Sequence, residues 1–258
     1  QYTANSAGTD HSSQIRNSTS AITIDTNGQN VTYSAAGLSN TNTGGLTKEG
    51  AGVLDTLITT SAEYSGDTNV NGGELQFTNT ADLAGISSAN FFINNGSTLE
   101  FESSGVGGAN RTSLNNKVFT FDSNGGGTIN FNNGNHLFQG GANTHSFVTN
   151  GGATNTISST NGGFMNMQGA ATIPFTVADG PNAVDLILSA TFNNGTIEKN
   201  GAGTMQVTTS TGVGVGTSNV DINAGVLEIA GAAALGGGTF VGTIANDATL
   251  RFNTTANQ

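Results

Sequence analysis

The sequence predicts an all-β chain folded as one continuous parallel β-helix, a β-solenoid of about ten coils, and three observations carry that expectation. A stretch of some length occurs twice in register. Apolar residues come as short alternations, not at helical spacing. One inward residue per alternation recurs at a nearly constant interval.

The duplicated stretch runs from Gly45 to Phe77 and again from Gly195 to Ile229. Each copy opens on a short apolar–polar run, passes a Gly-Ala-Gly turn and resumes alternation, at Leu54 and Leu57 in one and at Met205 and Val207 in the other. Each then crosses a Ser/Thr/Gly-rich loop and ends in Asn-x-Gly before a second alternating run. Leu46 matches Ile197 at an offset of 151, and Gly73 matches Gly225 at 152. Extended to Phe101 and Phe252, the copies span residues 45–101 and 195–252.

In chain order, residues 1–20 form a polar arm with almost no alternation: a cap, a flexible arm, or a strand donated to another molecule. Residues 21–258 read as the solenoid. Ala21 to Asp25 and Gln29 to Tyr33 alternate around Asn27-Gly28, a turn dipeptide tolerating φ > 0. The theme of Asn/Gly turn and short alternation then repeats, for example at Asn71-Gly72-Gly73, Asn95-Gly96, Asn150-Gly151-Gly152 and Asn246-Asp247. One inward residue per theme gives Leu54, Leu75, Leu99, Ile129, Ile157, Leu186, Met205, Leu227 and Leu250. Their intervals fall in the range of roughly 20–30 residues that one coil of a solenoid consumes. A β-sandwich also has turns every 8–12 residues or so, but it has no reason to reproduce the Gly-Ala-Gly to Asn-x-Gly pattern at so long an offset. Most of the 39 glycines are expected at corners, because each costs about 0.5–1 kcal/mol relative to Ala inside a strand. Ten coils would span about 45–50 Å. The middle, Asn110 to Ala190, is less regular, and Phe164 to Pro174 suggests a widened coil or a bulge.

Composition narrows the function. The net charge of −11 comes from 17 acidic against 6 basic residues, which suits a soluble, self-repelling surface. Arg16, Lys48, Arg111, Lys117, Lys199 and Arg251 are scattered and form no basic stripe, so nucleic acid is not an expected partner. No cysteine is present, which excludes disulfides and thiolate metal sites. No apolar run approaches the ~20 residues of a membrane helix, so membrane insertion is not expected. A start at Gln1, without Met or signal peptide, reads as a processed N-terminus outside the cytoplasm.

Candidate chemistry is sparse. Glu100 and Glu102 flank Phe101 and share a face, as a carboxylate pair would, but read as outward residues of one strand. Asp179 and Asp185 flank a turn. Arg111, Lys117 and Asp122 would be the charged set of a lyase if one coil brought them together. His11, His136 and His145 lack metal-ligand spacing and are expected at solvated positions. The calcium-binding nonapeptide is absent, and Gly201-Ala202-Gly203 is followed by no helix that could hold a phosphate. No catalytic residue, cofactor or metal is expected.

The two copies resemble the autotransporter-associated β-strand repeat, or passenger-associated transport repeat. The first supplies Leu46, Thr47, Lys48, Gly50, Gly52 and Leu54, then Val70, Asn71, Gly73 and Leu75. The second supplies Ile197, Lys199, Gly201, Gly203 and Met205, then Ile222, Asn223, Gly225 and Leu227, departing from the pattern at Glu198 and Met205. The resemblance implies a right-handed β-helix on the bacterial surface, here without the family's C-terminal barrel. The expected function is a non-enzymatic extracellular structural protein, a solenoid subunit stacking head to tail on copies of itself into a cell-surface filament or layer. Open solenoid ends present unpaired backbone groups and apolar rows, placing candidate assembly surfaces at Gln1, Ile15 and Ile22 on one side and Leu250 and Phe252 on the other. The alternative is an adhesin passenger region whose outer face binds host or matrix glycans.

Overall fold

The computed structural model describes residues 1–6, 8–34, 38–58, 64–79, the backbone of 84–85, and residues 88–94, 96–103, 111–139, 144–168, 171–209, 219–235 and 240–255. Asn95 and most of the Ser/Thr/Gly loops of the two copies lie outside them.

The described strands form a β-solenoid of two ten-stranded sheets and one of five strands, every pair parallel. The first sheet runs from Ile22–Asp25 to Ile244–Asn246 and the second from Val31–Tyr33 to Thr249–Thr254. Each coil contributes one strand to each of these sheets. Asn27 (φ 50°) and Gly28 (φ 79°) turn the first corner, so the turn dipeptide joins strands of two sheets. Among the described residues the third sheet, Ala84–Gly85, Arg111–Ser113, Asn135–Gln139, Phe164–Gln168 and Phe192–Asn193, belongs to the middle of the chain. It accounts for the irregular stretch, since the widened coil expected at Phe164 to Pro174 carries a third strand.

Alternation dictates burial. Leu54, Leu75, Leu99, Ile129 and Ile157 are buried and stack rung on rung. The single row read from the sequence breaks there, because Ile157 aligns with Leu188, and Leu186 with Asn155. The row therefore continues through Leu188, Val207, Ile229 and Phe252, while Leu186, Met205, Leu227 and Leu250 form a parallel row beside it on the same face. All of these are still inward; the second copy simply sits one inward position out of line with the first.

Aromatic stacks fill the centre. Phe91, Phe119, Phe147 and Phe175 align in the first sheet with ring centroids 5.2, 4.9 and 5.1 Å apart. Phe77, Phe101 and Phe131 stack in the second sheet, and Phe101 meets Phe91 and Phe119 edge to face. Parallel rungs lie about 4.8 Å apart, so like residues in a row stack offset at the separation aromatic rings prefer. Phe147 touches rings on both sides. Phe147→Ala is expected to cost about 3–5 kcal/mol, read as a lower denaturation midpoint at unchanged slope.

The N-terminal arm lies across its own first coil. Tyr2 donates its N–H to the Asp25 carbonyl at 2.8 Å and its hydroxyl bonds that of Tyr33 at 3.0 Å. Asp10 accepts the Ser34 N–H at 2.8 Å, and the Asn42 side chain donates to the Ile15 carbonyl at 2.9 Å. Tyr2, Asp10 and Ile15 of the arm thus bond to Asp25, Ser34 and Asn42 of the same chain.

Candidate functional site

The repeat builds one recurring corner, and a buried lysine holds it. Lys48 and Lys199 are both fully buried. Lys48 Nζ donates to the carbonyls of Glu49, Gly50 and Gly72 at 2.9, 2.7 and 2.9 Å. Lys199 Nζ donates to Asn200, Gly201 and Ala224 at 2.9, 2.7 and 3.0 Å. An ammonium has three donors and no acceptor, so each lysine is saturated by a cage of three carbonyls drawn from two adjacent coils. Burial pulls both amines down to about 8, opposed at Lys48 by Asp25, Glu49 and Glu74 and at Lys199 by Asp185.

The remaining repeat residues shape that cage. Leu46, Leu54, Leu75, Ile197, Met205 and Leu227 point inward and are buried. Gly50, Gly52, Gly73, Gly201 and Gly225 have φ between +61° and +87°. At Gly73 a Cβ would strike the carbonyl oxygens of Gly52 and Gly50; at Gly225 it would strike those of Gly203 and Gly201. Gly203 is required for close approach alone, since a Cβ there would meet the Ala178 carbonyl. Asn71 and Asn223 donate their N–H to the carbonyls of Lys48 and Lys199, both at 2.9 Å. Outside, the Asn71 side chain donates to Glu49 at 2.7 Å and that of Asn223 to Asn200 at 3.0 Å. Lys48→Met keeps the stem but takes the ammonium from three carbonyls; Glu49's still accepts the Thr26 N–H at 3.1 Å, whereas those of Gly50 and Gly72 lose the lysine donor, at about 1–3 kcal/mol each. A loss of at least about 2 kcal/mol is expected by urea unfolding, with a loss of similar size from Lys199→Met.

The candidate catalytic sets are not assembled. Arg111 lies in the third sheet, whereas Lys117 and Asp122 bracket the first-sheet strand Val118–Phe121. The extended backbone between them holds the latter two about 16 Å apart. Glu100 and Glu102 do face outward together, but neighbouring amides hold them: Asn130 and Asn132 donate to Glu100 at 2.6 and 2.9 Å, and Gln76 donates to Glu102. With Asp55 and Glu74 they form a carboxylate ladder in which burial, then repulsion from Glu100, raises Asp55, Glu74 and Glu102 above ordinary values; hydrogen bonds from Thr78 to Asp55 and from Gln76 and Thr78 to Glu102, and the Lys48 charge near Glu74, oppose the rise. Asp185 accepts the backbone N–H groups of Gly180 and Thr204, both at 2.8 Å, and so fixes its turn, while Asp179 stays outside it. Among the described residues no group of three His, Cys, Asp or Glu could hold a metal ion.

Two histidines depart from expectation. His136 and His145 are buried, not solvated. His136 takes the inward position of a third-sheet row between Thr112 and Met165, its Nε2 on the Asn133 carbonyl at 3.2 Å and its Nδ1 without a partner. His145 packs edge-on against Phe138. Burial lowers both, His136 to about 4. Between about pH 4 and 6.5 the unfolded chain binds a proton that folded His136 refuses, so its contribution to stability falls as pH falls through that window. The raised carboxyls of Asp55, Glu74 and Glu102 act in the opposite sense, since they are protonated sooner in the folded chain. His136→Leu should therefore flatten the fall in melting temperature between pH 6.5 and 4 relative to the parent, measured by calorimetry.

The two ends differ. Ile15 and Ile22 pack against the core under the cap, and Gln1 is exposed beside them. At the far end Ile244–Asn246 and Thr249–Thr254 are edge strands with mostly exposed side chains. Leu250 is partly buried and Phe252 is 49% exposed. Glu228 fastens this coil by accepting Gln206 and Arg251 at 2.7 and 2.8 Å. Burial would raise its carboxyl, but hydrogen bonds from Gln206, Arg251 and Asn253 outweigh that and hold it below the ordinary range.

These features define the class: a β-solenoid with a caged-lysine repeat. No protein-family model, curated protein or solved structure matches the chain.

Proposed function

We propose that this chain is a non-enzymatic extracellular structural protein, a β-solenoid subunit that stacks end on end with copies of itself into a filament or layer at the cell surface. The observation supporting this reading is the apolar surface of the last described coil. Val241, Ile244 and Phe252 are the exposed large apolar side chains among the described residues, and all three fall within residues 241–252. Unpaired parallel strand edges accompany them there. An apolar patch rimmed by open backbone groups is a surface for further β structure. A head-to-tail contact of this kind does not close on itself and so propagates. The resemblance to the autotransporter-associated repeat supports an extracellular setting.

A second reading, a passenger region that binds glycans, draws on one observation. A mostly apolar groove at the first sheet, lined in part by Val118 and Pro174, also presents the hydroxyls of Thr144, Ser146 and Thr172 and the carboxylate of Glu198.

Electron microscopy and sedimentation velocity separate the two. Concentration-dependent filaments or higher oligomers are expected of the parent, with Phe252→Glu shifting assembly to at least tenfold higher concentration. A parent that sediments as a monomer at every concentration, together with glycan-array binding lost in Glu198→Gln, would replace the first reading with the second.

A further inference from the structure

The N-terminal arm and the first coil share a buried pair of phenols. The hydroxyls of Tyr2 and Tyr33 meet at 3.0 Å although 31 residues separate them in the chain. Backbone bonds aim Tyr2 at this contact from both sides: its N–H donates to the Asp25 carbonyl at 2.8 Å, and its own carbonyl accepts the Asn27 side chain at 3.1 Å. Tyr33 takes an inward position of the strand Val31–Tyr33. Both rings wall a cavity of about 290 Å³, several times the roughly 30 Å³ share of a water molecule. Exposed Gln1 and Thr23 also line it, so it opens to solvent. Oxidation has few other outlets. The chain contains no cysteine and no tryptophan. Met165, Met167 and Met205 are its three methionines and all are buried, and oxidation of sulfur side chains follows exposure. The third tyrosine, Tyr64, is fully buried and bonds the Thr68 hydroxyl at 2.7 Å.

We infer that Tyr2 and Tyr33 are a site of oxidative crosslinking, at which a peroxide ties the arm to the first coil through a dityrosine bond. Each phenol loses one hydrogen atom, and the two phenoxyl radicals join through the ring carbons beside their oxygens. The hydrogens on those two carbons then move to the oxygens, which restores both hydroxyls. The O–O bond of the peroxide breaks and takes up two electrons and two protons, leaving two waters from hydrogen peroxide or two hydrogen sulfates from persulfate. The hydrogen bond sets the rings hydroxyl to hydroxyl, and the cavity beside them gives space to slide side by side for the new C–C bond. Burial, then the bond to Tyr2, raises the Tyr33 hydroxyl well above its ordinary value, so it gives up its electron and proton together. A chain without cysteine has no disulfide to fasten an arm. This bond takes that role, closing a loop and restricting chiefly the unfolded chain. It does not depend on end stacking.

The sequence supplies an internal control, because Tyr64 lies as far along the chain from Tyr33 as Tyr2 does. In an unfolded chain, loops of equal length close with equal ease. Trypsin separates the partners after denaturation: cleavage after Arg16, Lys48 and Arg111 leaves Tyr2 on residues 1–16, Tyr33 on 17–48 and Tyr64 on 49–111. Photolysed persulfate applied to the dilute folded protein should give dityrosine fluorescence and a joined peptide 1–16/17–48, two hydrogens lighter than its parts, by mass spectrometry. That join should exceed 17–48/49–111 by at least about tenfold, through proximity, whereas oxidation in urea should give the two alike. Tyr2→Phe and Tyr33→Phe keep the rings and should each abolish the 1–16/17–48 join. A folded protein that yields the two joins equally, or couples mainly between chains, would overturn the site. So would oxidant consumption by the folded parent with no joined peptide.

Discussion

Everything in this molecule answers to one spacing, the roughly 4.8 Å between parallel rungs. Whatever side chain occupies a position on one coil presses on its counterpart on the next. Inside, that spacing favours rows of like apolar residues, and it places the four phenylalanines of the first sheet at stacking distance. At the corners it brings backbone against backbone, so that Gly73 leaves no room for a Cβ beside the Gly52 carbonyl. Outside, it crowds Asp55, Glu74, Glu100 and Glu102 until amides must separate them. Core, corner and surface are three consequences of the same repeat distance.

The caged lysines resolve a conflict that spacing creates. Tight corners point several carbonyls into a volume where water does not reach, and an unmet buried carbonyl is costly. Lys48 and Lys199 reach in along an apolar stem and satisfy three carbonyls each. The Asn-x-Gly element completes the same corner from the next coil, its Asn bonding the lysine's own carbonyl and its Gly permitting the approach. The pattern thus repeats one hydrogen-bonding solution at two places in one chain, which explains why it includes a charged residue at a core position.

Much of the fold was legible because rung spacing leaves a linear trace. Alternation, Gly-rich corners and the repeat at an offset of 151 gave the solenoid, its inward leucines and its corner glycines. Other features were harder to read. A lysine in an alternating run looks solvated, and only its cage shows otherwise. His136 is inward because a third strand begins at Asn135, and polar composition hides that strand. The phenylalanine row did leave a signal, since Phe91, Phe119, Phe147 and Phe175 recur at equal intervals, but equal spacing is confined to those coils. The step in register at Ile157 and Leu186 escaped because either residue satisfies the alternation. The contacts of the N-terminal arm, such as Tyr2 with Tyr33, are announced by no pattern.

Coil length has a geometric meaning that reaches past stability. Along the first sheet, the stretch of chain from one rung to the next is short near both ends, as from Leu46 to Thr68. It is longer in the middle, as from Phe91 to Phe119 and on to Phe147. Each of the longer turns carries a described strand of the third sheet between its first-sheet rungs: Arg111–Ser113, Asn135–Gln139 and Phe164–Gln168. The first and last turns, Ile22 to Leu46 and Ile222 to Asn246, consume equal lengths of chain. The length of a turn can therefore change while the rungs above and below it stay in register, because the two long sheets fix the stacking and the third side absorbs the difference.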